Sequence, residues 1–191
     1  MQRPSVLVVY FSRSGHTRRL AAAIARALGA DLEEIRDRAD RQGLTGFVRC
    51  ELETILGVTN VIERPRHDPA RYDLVVVGGP VWMASVSTPV RTFLWLERER
   101  LPKLAFFVTL GGIGSDRAFG QMRKLAGKAP LATLAVREGE LADGVAPVRV
   151  RAFADALRAA VKTPARRRRS RPPRVTPAGP RARRVSAELP A

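Results

Sequence analysis

Six residues near the start of the chain, Ser12-Arg13-Ser14-Gly15-His16-Thr17, gather three hydroxyls, a glycine and a cation into one short stretch. The hydroxyls of Ser12, Ser14 and Thr17 can donate hydrogen bonds. The glycine lets the backbone turn so that successive N–H groups converge. With a helix N-terminus behind them, such groups make an anion site. The residue types narrow the anion. No Lys-Ser or Lys-Thr follows Gly15, as a nucleoside triphosphate loop requires. One glycine stands where a dinucleotide fingerprint needs three. The single cysteine, Cys50, lies elsewhere, so the stretch has no phosphatase-type nucleophile. What remains is a loop able to cradle a terminal monophosphate without a metal.

The flanking sequence supplies the elements that position this loop. Val6-Leu7-Val8-Val9-Tyr10-Phe11 is a continuous apolar run, the pattern of a strand buried on both faces. After the loop, Leu20, Ile24 and Leu28 recur every four residues with Ala21, Ala23 and Ala27 among them, and Gly29 stands where the helix should stop. Asp31 to Ile35 reads as a short second strand of weak periodicity. Residues 44–56 read as a helix with Val48, Leu52, Ile55 and Leu56 on one face, and Cys50 as a partly buried residue off that stripe. Residues 60–72 are polar and proline-bearing, a loop in which His67 is expected to be solvated.

Two further blocks repeat the plan. Tyr72 to Val77, apolar but for Asp73, is a second buried strand, expected to end in a Gly78-Gly79-Pro80-Val81-Trp82 turn, with Thr88 as N-cap and Pro89 in the first turn of the helix that follows. Leu104 to Leu110 is a third, followed by the glycine loop Gly111-Gly112-Ile113-Gly114 and a helix expected to be capped by Ser115. Leu131 to Val136 gives a fifth strand, and Val150, Phe153, Leu157 and Val161 mark a last helix ended by Pro164. Five strands alternating with helices predict an α/β fold, a doubly wound five-stranded parallel sheet covered on both faces. Ligands in such sheets sit at the carboxyl ends of the strands where strand order reverses. The loops after strands one, three and four are those enriched in Gly, Ser, Pro and Trp, so they are expected to converge on one cleft.

Charge divides the chain. The net charge is +16. Residues 163–191 hold nine arginines against one glutamate, six prolines and no aromatic residue, a composition expected to stay disordered. This sets a domain at 1–162 apart from an Arg/Pro-rich basic C-terminal tail at 163–191. The tail suggests contact with nucleic acid or an anionic membrane surface, or no selected role at all. One cysteine excludes an internal disulfide framework. Nothing resembles a signal peptide, and no apolar run approaches the roughly 18 residues of a membrane span. A cytoplasmic protein is expected.

The strand-loop-helix unit over residues 6–29 resembles the flavodoxin family, whose first loop reads [ST]-x-[ST]-G-x-[ST] and holds the phosphate of FMN. Val75 to Gly79 with Pro80-Val81-Trp82, and Pro89-Val90-Arg91-Thr92-Phe93-Leu94, are similar to flavodoxin-like proteins that include FMN-dependent quinone reductases. The resemblance covers most of residues 5–162 and implies a flavodoxin-like sheet of order 2-1-3-4-5. It implies FMN held at Ser12, Arg13, Ser14, Gly15, His16 and Thr17, with Pro80, Val81 and Trp82 and the glycines Gly111, Gly112 and Gly114 bordering the ring. His16 stands where the family commonly has Asn, and the acidic surface usual in electron-carrying flavodoxins is missing. Three functions are therefore open: an FMN-dependent oxidoreductase passing reducing equivalents from NAD(P)H to a quinone or similar acceptor, an electron carrier with a redox protein partner, or a polyanion-binding protein on an α/β scaffold. No side chain stands out as an acid, base or nucleophile, and no metal site is indicated.

Overall fold

The computed structural model describes residues 4–37, 62–142 and 145–162. The expected helix at 44–56, Cys50 and the tail from Thr163 lie outside the described residues. Strand β1 (Val6–Tyr10) leads through the loop into helix α1 (His16–Leu28), and β2 (Asp31–Glu34) follows. After a short 3-10 turn at Pro69–Arg71 come β3 (Leu74–Trp82), β4 (Ser85–Val86) and α2 (Thr88–Glu97). The chain continues through β5 (Lys103–Leu110), α3 (Ser115–Ala126), β6 (Thr133–Arg137), α4 (Glu138–Ala142) and α5 (Val145–Lys162).

The principal strands lie in the order β2-β1-β3-β5-β6, every neighbouring pair parallel. This is the five-stranded order the family resemblance implied. Period-two alternation sends side chains to opposite faces. Leu7 and Val9 of β1, Val75 and Val77 of β3, and Phe106 and Val108 of β5 pack under α2 and α3, with Phe93, Leu94 and Met122. Val6, Val8 and Tyr10, with Leu74, Val76 and Phe107, pack under α1 and α5, where Leu20, Ile24, Phe153 and Leu157 meet them. Full burial of each such side chain contributes about 1.5–3 kcal/mol. Gly78 has a steric role here. A Cβ at that position would lie 2.4 Å from the ring of Phe107, its register partner on β5, so only glycine leaves room for the ring.

Gly29 stops α1 in the left-handed conformation, and Ala30 N–H donates to the Ala25 carbonyl at 2.9 Å, as the sequence led one to expect. Other boundaries differ. The cap residues are Ser87 and Gly114, each one position before the expected Thr88 and Ser115, which are instead the first helical residues. Strand β3 does not turn at Gly78-Gly79-Pro80. It runs on to Trp82, because Pro80 pairs with Thr109 of β5 and needs no N–H where it stands, and β4 then returns antiparallel along its end. The last helix begins at Val145, preceded by the unforeseen α4. His67 is not simply solvated. Its Nδ1 lies 2.5 Å from Oε2 of Glu33, a carboxylate only 7% exposed whose Oε1 also accepts from Arg66 N–H at 3.0 Å. A carboxylate taken out of water recruits donors, and the loop supplies them.

Candidate functional site

Because β1, β3 and β5 are adjacent and parallel, the loops that follow them emerge together at one edge of the sheet. The first loop is held by its ends. Phe11 N–H donates to the Gly78 carbonyl at 3.1 Å, and Gly15 N–H donates to Ser12 Oγ at 3.2 Å, closing a tight turn. Gly15 has φ of +92°, a conformation that disfavours a side chain, and it occupies the cap position of α1. No side chain caps the helix and no acid lies in its first turn. The first turn of the helix therefore offers its positive end without a cap or an acid of its own, with Arg13 and Ser14 exposed beside it. That arrangement fits a phosphate. Thr17 behaves differently: it is 2% exposed, and its hydroxyl meets that of Thr109 on β5 at 2.7 Å.

The second wall is a hairpin. Val81 pairs with Val86 and Trp82 with Ser85, and Met83 and Ala84 form the two-residue tip with φ of +47° and +57°. Right-handed strand twist demands left-handed residues at such a tip, and here they are not glycine. Helix α3 pins the hairpin, since Gln121 Oε1 accepts from Ser85 Oγ at 2.9 Å and from Val86 N–H at 3.1 Å. Trp82 stands edge-on to Phe11, ring centroids 6.1 Å apart, joining the hairpin to the first loop. Pro80 and Val81 are half-buried beneath it.

Gly111 and Gly112 are exposed in the third loop, and Ile113 is 87% exposed. Gly114 has φ of +109°, and a Cβ there would fall 2.7 Å from Cα of Ala84, so this loop packs backbone-close on the hairpin tip. The residues expected at the site are thus brought to one end of the sheet by contacts between all three loops.

The sequence did not reveal the fourth contributor. Glu138, at the start of α4 after β6, brings Oε1 to 3.2 Å from Nδ1 of His16, an ion-pair distance without hydrogen-bond alignment. Beyond it, a cavity of about 480 Å3 opens between the glycine loop and β6. Glu140 lines it, accepting from Arg137 N–H at 2.7 Å and from Arg149 at 2.8 Å, and these donors hold its carboxyl below the usual range. Thr109 did carry a signal, as the one polar residue in LAFFVTL. Gln121 and Glu138 carried none, because their roles depend on where helices dock. Among the described residues no cluster of His, Cys, Asp or Glu could hold a metal, and no helix is long and apolar enough to cross a membrane.

The profile of the family described as Flavodoxin matches residues 5–148. Among solved structures, the chain is similar to a flavoprotein of Lactobacillus acidophilus NCFM in complex with FMN, at 23% identity and a TM-score of 0.62, covering 74% of this chain and 97% of that one. A flavoprotein assigned in Bacteroides eggerthii DSM 20697 follows at 20% identity and a TM-score of 0.60, covering 74% and 96%. An oxidoreductase of Corynebacterium diphtheriae gives 17% identity and a TM-score of 0.53 over 84% and 98%. No curated protein matches.

Proposed function

The chain belongs to the flavodoxin family, and from that membership we propose that it binds FMN and serves as an oxidoreductase that takes reducing equivalents from NAD(P)H to a quinone or a similar acceptor. The observation that carries this reading is the convergence of an uncapped helix N-terminus, with no acid in its own first turn, with the Trp82 hairpin and the glycine loop. Ser12, Arg13, Ser14, Gly15, His16 and Thr17 would hold the phosphate. Pro80, Val81 and Trp82 on one side, and Gly111, Gly112 and Gly114 on the other, would border the ring. FMN supplies the two-electron chemistry when bound, and the protein supplies position and electrostatics. The exposed glycines leave a ring face open, and Arg13 places a fixed cation at the anionic end of the ligand.

A second reading, a carrier that docks a redox protein, draws on Met83 and Ile113, 68% and 87% exposed on the two loops that border the cleft. Apolar side chains standing in water at a cleft mouth suit a protein contact.

The test is direct. Full-length protein mixed with FMN is expected to retain it through gel filtration with a shifted visible spectrum. Ser14→Ala removes a donor to a charged group, worth about 1.5–3 kcal/mol, so FMN should weaken about tenfold or more. Riboflavin, which has no phosphate, should hardly change. Failure to take up FMN would end both readings. Steady NAD(P)H consumption that needs added quinone selects the enzyme, and its absence in an FMN-loaded protein selects the carrier.

A further inference from the structure

We propose that the groove between α1 and α5 docks an acidic amphipathic helix of another protein. The two helices lie side by side on one face of the sheet, and a groove of about 790 Å3 runs between them. Its floor is apolar, with Leu20, Ala23 and Ala27 from α1 and Pro147, Val150 and Ala154 from α5. Its rims are basic. Arg19 and Arg26 stand on the α1 side, Arg151 and Arg158 on the α5 side. Asp155 is the acid among the lining residues, and it is already taken: Arg158 Nη1 donates to it at 2.8 Å, while Nη2 donates to the Ala27 carbonyl. Arg19, Arg26 and Arg151 are exposed, and their guanidinium groups make no hydrogen bond or ion pair among the described residues.

The spacing selects the occupant. Each rim carries two arginines seven residues apart, about 10.5 Å along its helix. Seven residues is also the repeat at which a third helix, laid in the groove, presents its two flanks. Acidic residues on both flanks would meet Arg19 and Arg26 on one rim and Arg151 on the other, while an apolar stripe covers the floor. A second copy of this chain, at net +16, and its own arginine-rich tail carry the wrong charge. An acyl carboxylate would engage one of these arginines and leave the other two. Nucleic acid gains nothing from an apolar floor without stacking aromatics. A membrane surface is ill matched to a concavity.

The experiment uses the full-length chain and a fluorescein-labelled synthetic helix of about four turns, with a Leu/Ala stripe and Glu at seven-residue spacing on both flanks. Anisotropy should show saturable binding that weakens with salt. Arg19→Glu combined with Arg151→Glu should weaken it about tenfold, and the paired Gln variants about threefold, as exposed ion pairs allow. Arg123→Glu on α3, on the opposite face, should leave it within about twofold. Equal losses in the groove and α3 variants would assign the binding to general charge or to the tail, and overturn the proposal. So would equal binding of the same peptide with Gln in place of Glu. Loss of oleate, phosphatidylglycerol-vesicle or duplex-DNA binding in the Arg19/Arg151 variant, with peptide binding unchanged, would give the groove to that ligand instead.

Discussion

The hydroxyls of Thr17 and Thr109 meet at 2.7 Å, 92 residues apart in sequence and both almost fully buried. Through them the first turn of α1 is tied to the end of β5, so the loop at Ser12 to Thr17 and the glycine loop share one anchor. Replacing either threonine alone by valine keeps the shape but strands the other hydroxyl away from water. Each single variant should lose about 1–3 kcal/mol in denaturant unfolding. The double valine variant should lose clearly less than the sum, because no orphan remains. Strictly additive losses would mean that the two hydroxyls do not depend on one another.

At the hairpin tip, Met83 and Ala84 hold left-handed conformations that side chains disfavour by about 1 kcal/mol or more each. Changing Met83-Ala84 to Asn-Gly should therefore stabilise the fold by about 1 kcal/mol, read as a raised thermal midpoint. It also removes the exposed Met83 side chain, one of the two apolar groups on which the carrier reading draws. An unchanged or lowered midpoint would show that the tip carries no conformational strain.

Gly114→Ala tests the contact between the glycine loop and that tip. The new Cβ would meet Ala84 at 2.7 Å on a backbone already at φ of +109°. Loss of about 1–3 kcal/mol is expected, together with weaker FMN binding, because the two walls must separate. Gly112→Ala, where nothing lies within 4 Å and no left-handed angle is required, should leave stability nearly unchanged. Similar effects of the two substitutions would sink the idea that Gly114 sets the spacing between walls.

What the sequence disclosed and what it hid follow one division. The runs VLVVY and LVVV announced strands buried on both faces, and Gly29 announced a helix end, since local chemistry decides those features. The hydroxyl loop and its helix were legible for the same reason. The hairpin was not, because its tip is Met-Ala rather than Asn-Gly, and the preceding Gly-Gly-Pro imitates a turn while lying in a strand. Glu33 with His67, and His16 with Glu138, join side chains 34 and 122 positions apart, and only docking brings them together. The one-residue errors at Ser87 and Gly114 arose because a hydroxyl just inside a helix looks like a cap one step outside it.

The two tyrosines of the chain, Tyr10 and Tyr72, both hold their phenol protons above the ordinary range. Burial in β1 does this for Tyr10. For Tyr72 burial acts first, and the phenol also donates to Asp31 Oδ2 at 2.7 Å, so ionisation would break that bond and set two anions together. Its pKa is pushed up to about 12. An unfolded tyrosine ionises near 10. The sign follows from proton counting: between about pH 10 and about pH 12 the unfolded chain has released protons that the folded chain still binds, so stability falls as pH rises. The contribution is fully present below about pH 10 and lost as the folded phenols ionise. At pH 10, where an unfolded tyrosine is about half ionised, alkaline titration should show less phenolate absorbance in the native protein than in guanidinium. Tyr72→Phe should make the decline of stability above about pH 10 shallower. In a Tyr10→Phe variant, a native phenol half-ionised near pH 10 would mean that the Tyr72–Asp31 hydrogen bond does not hold in solution.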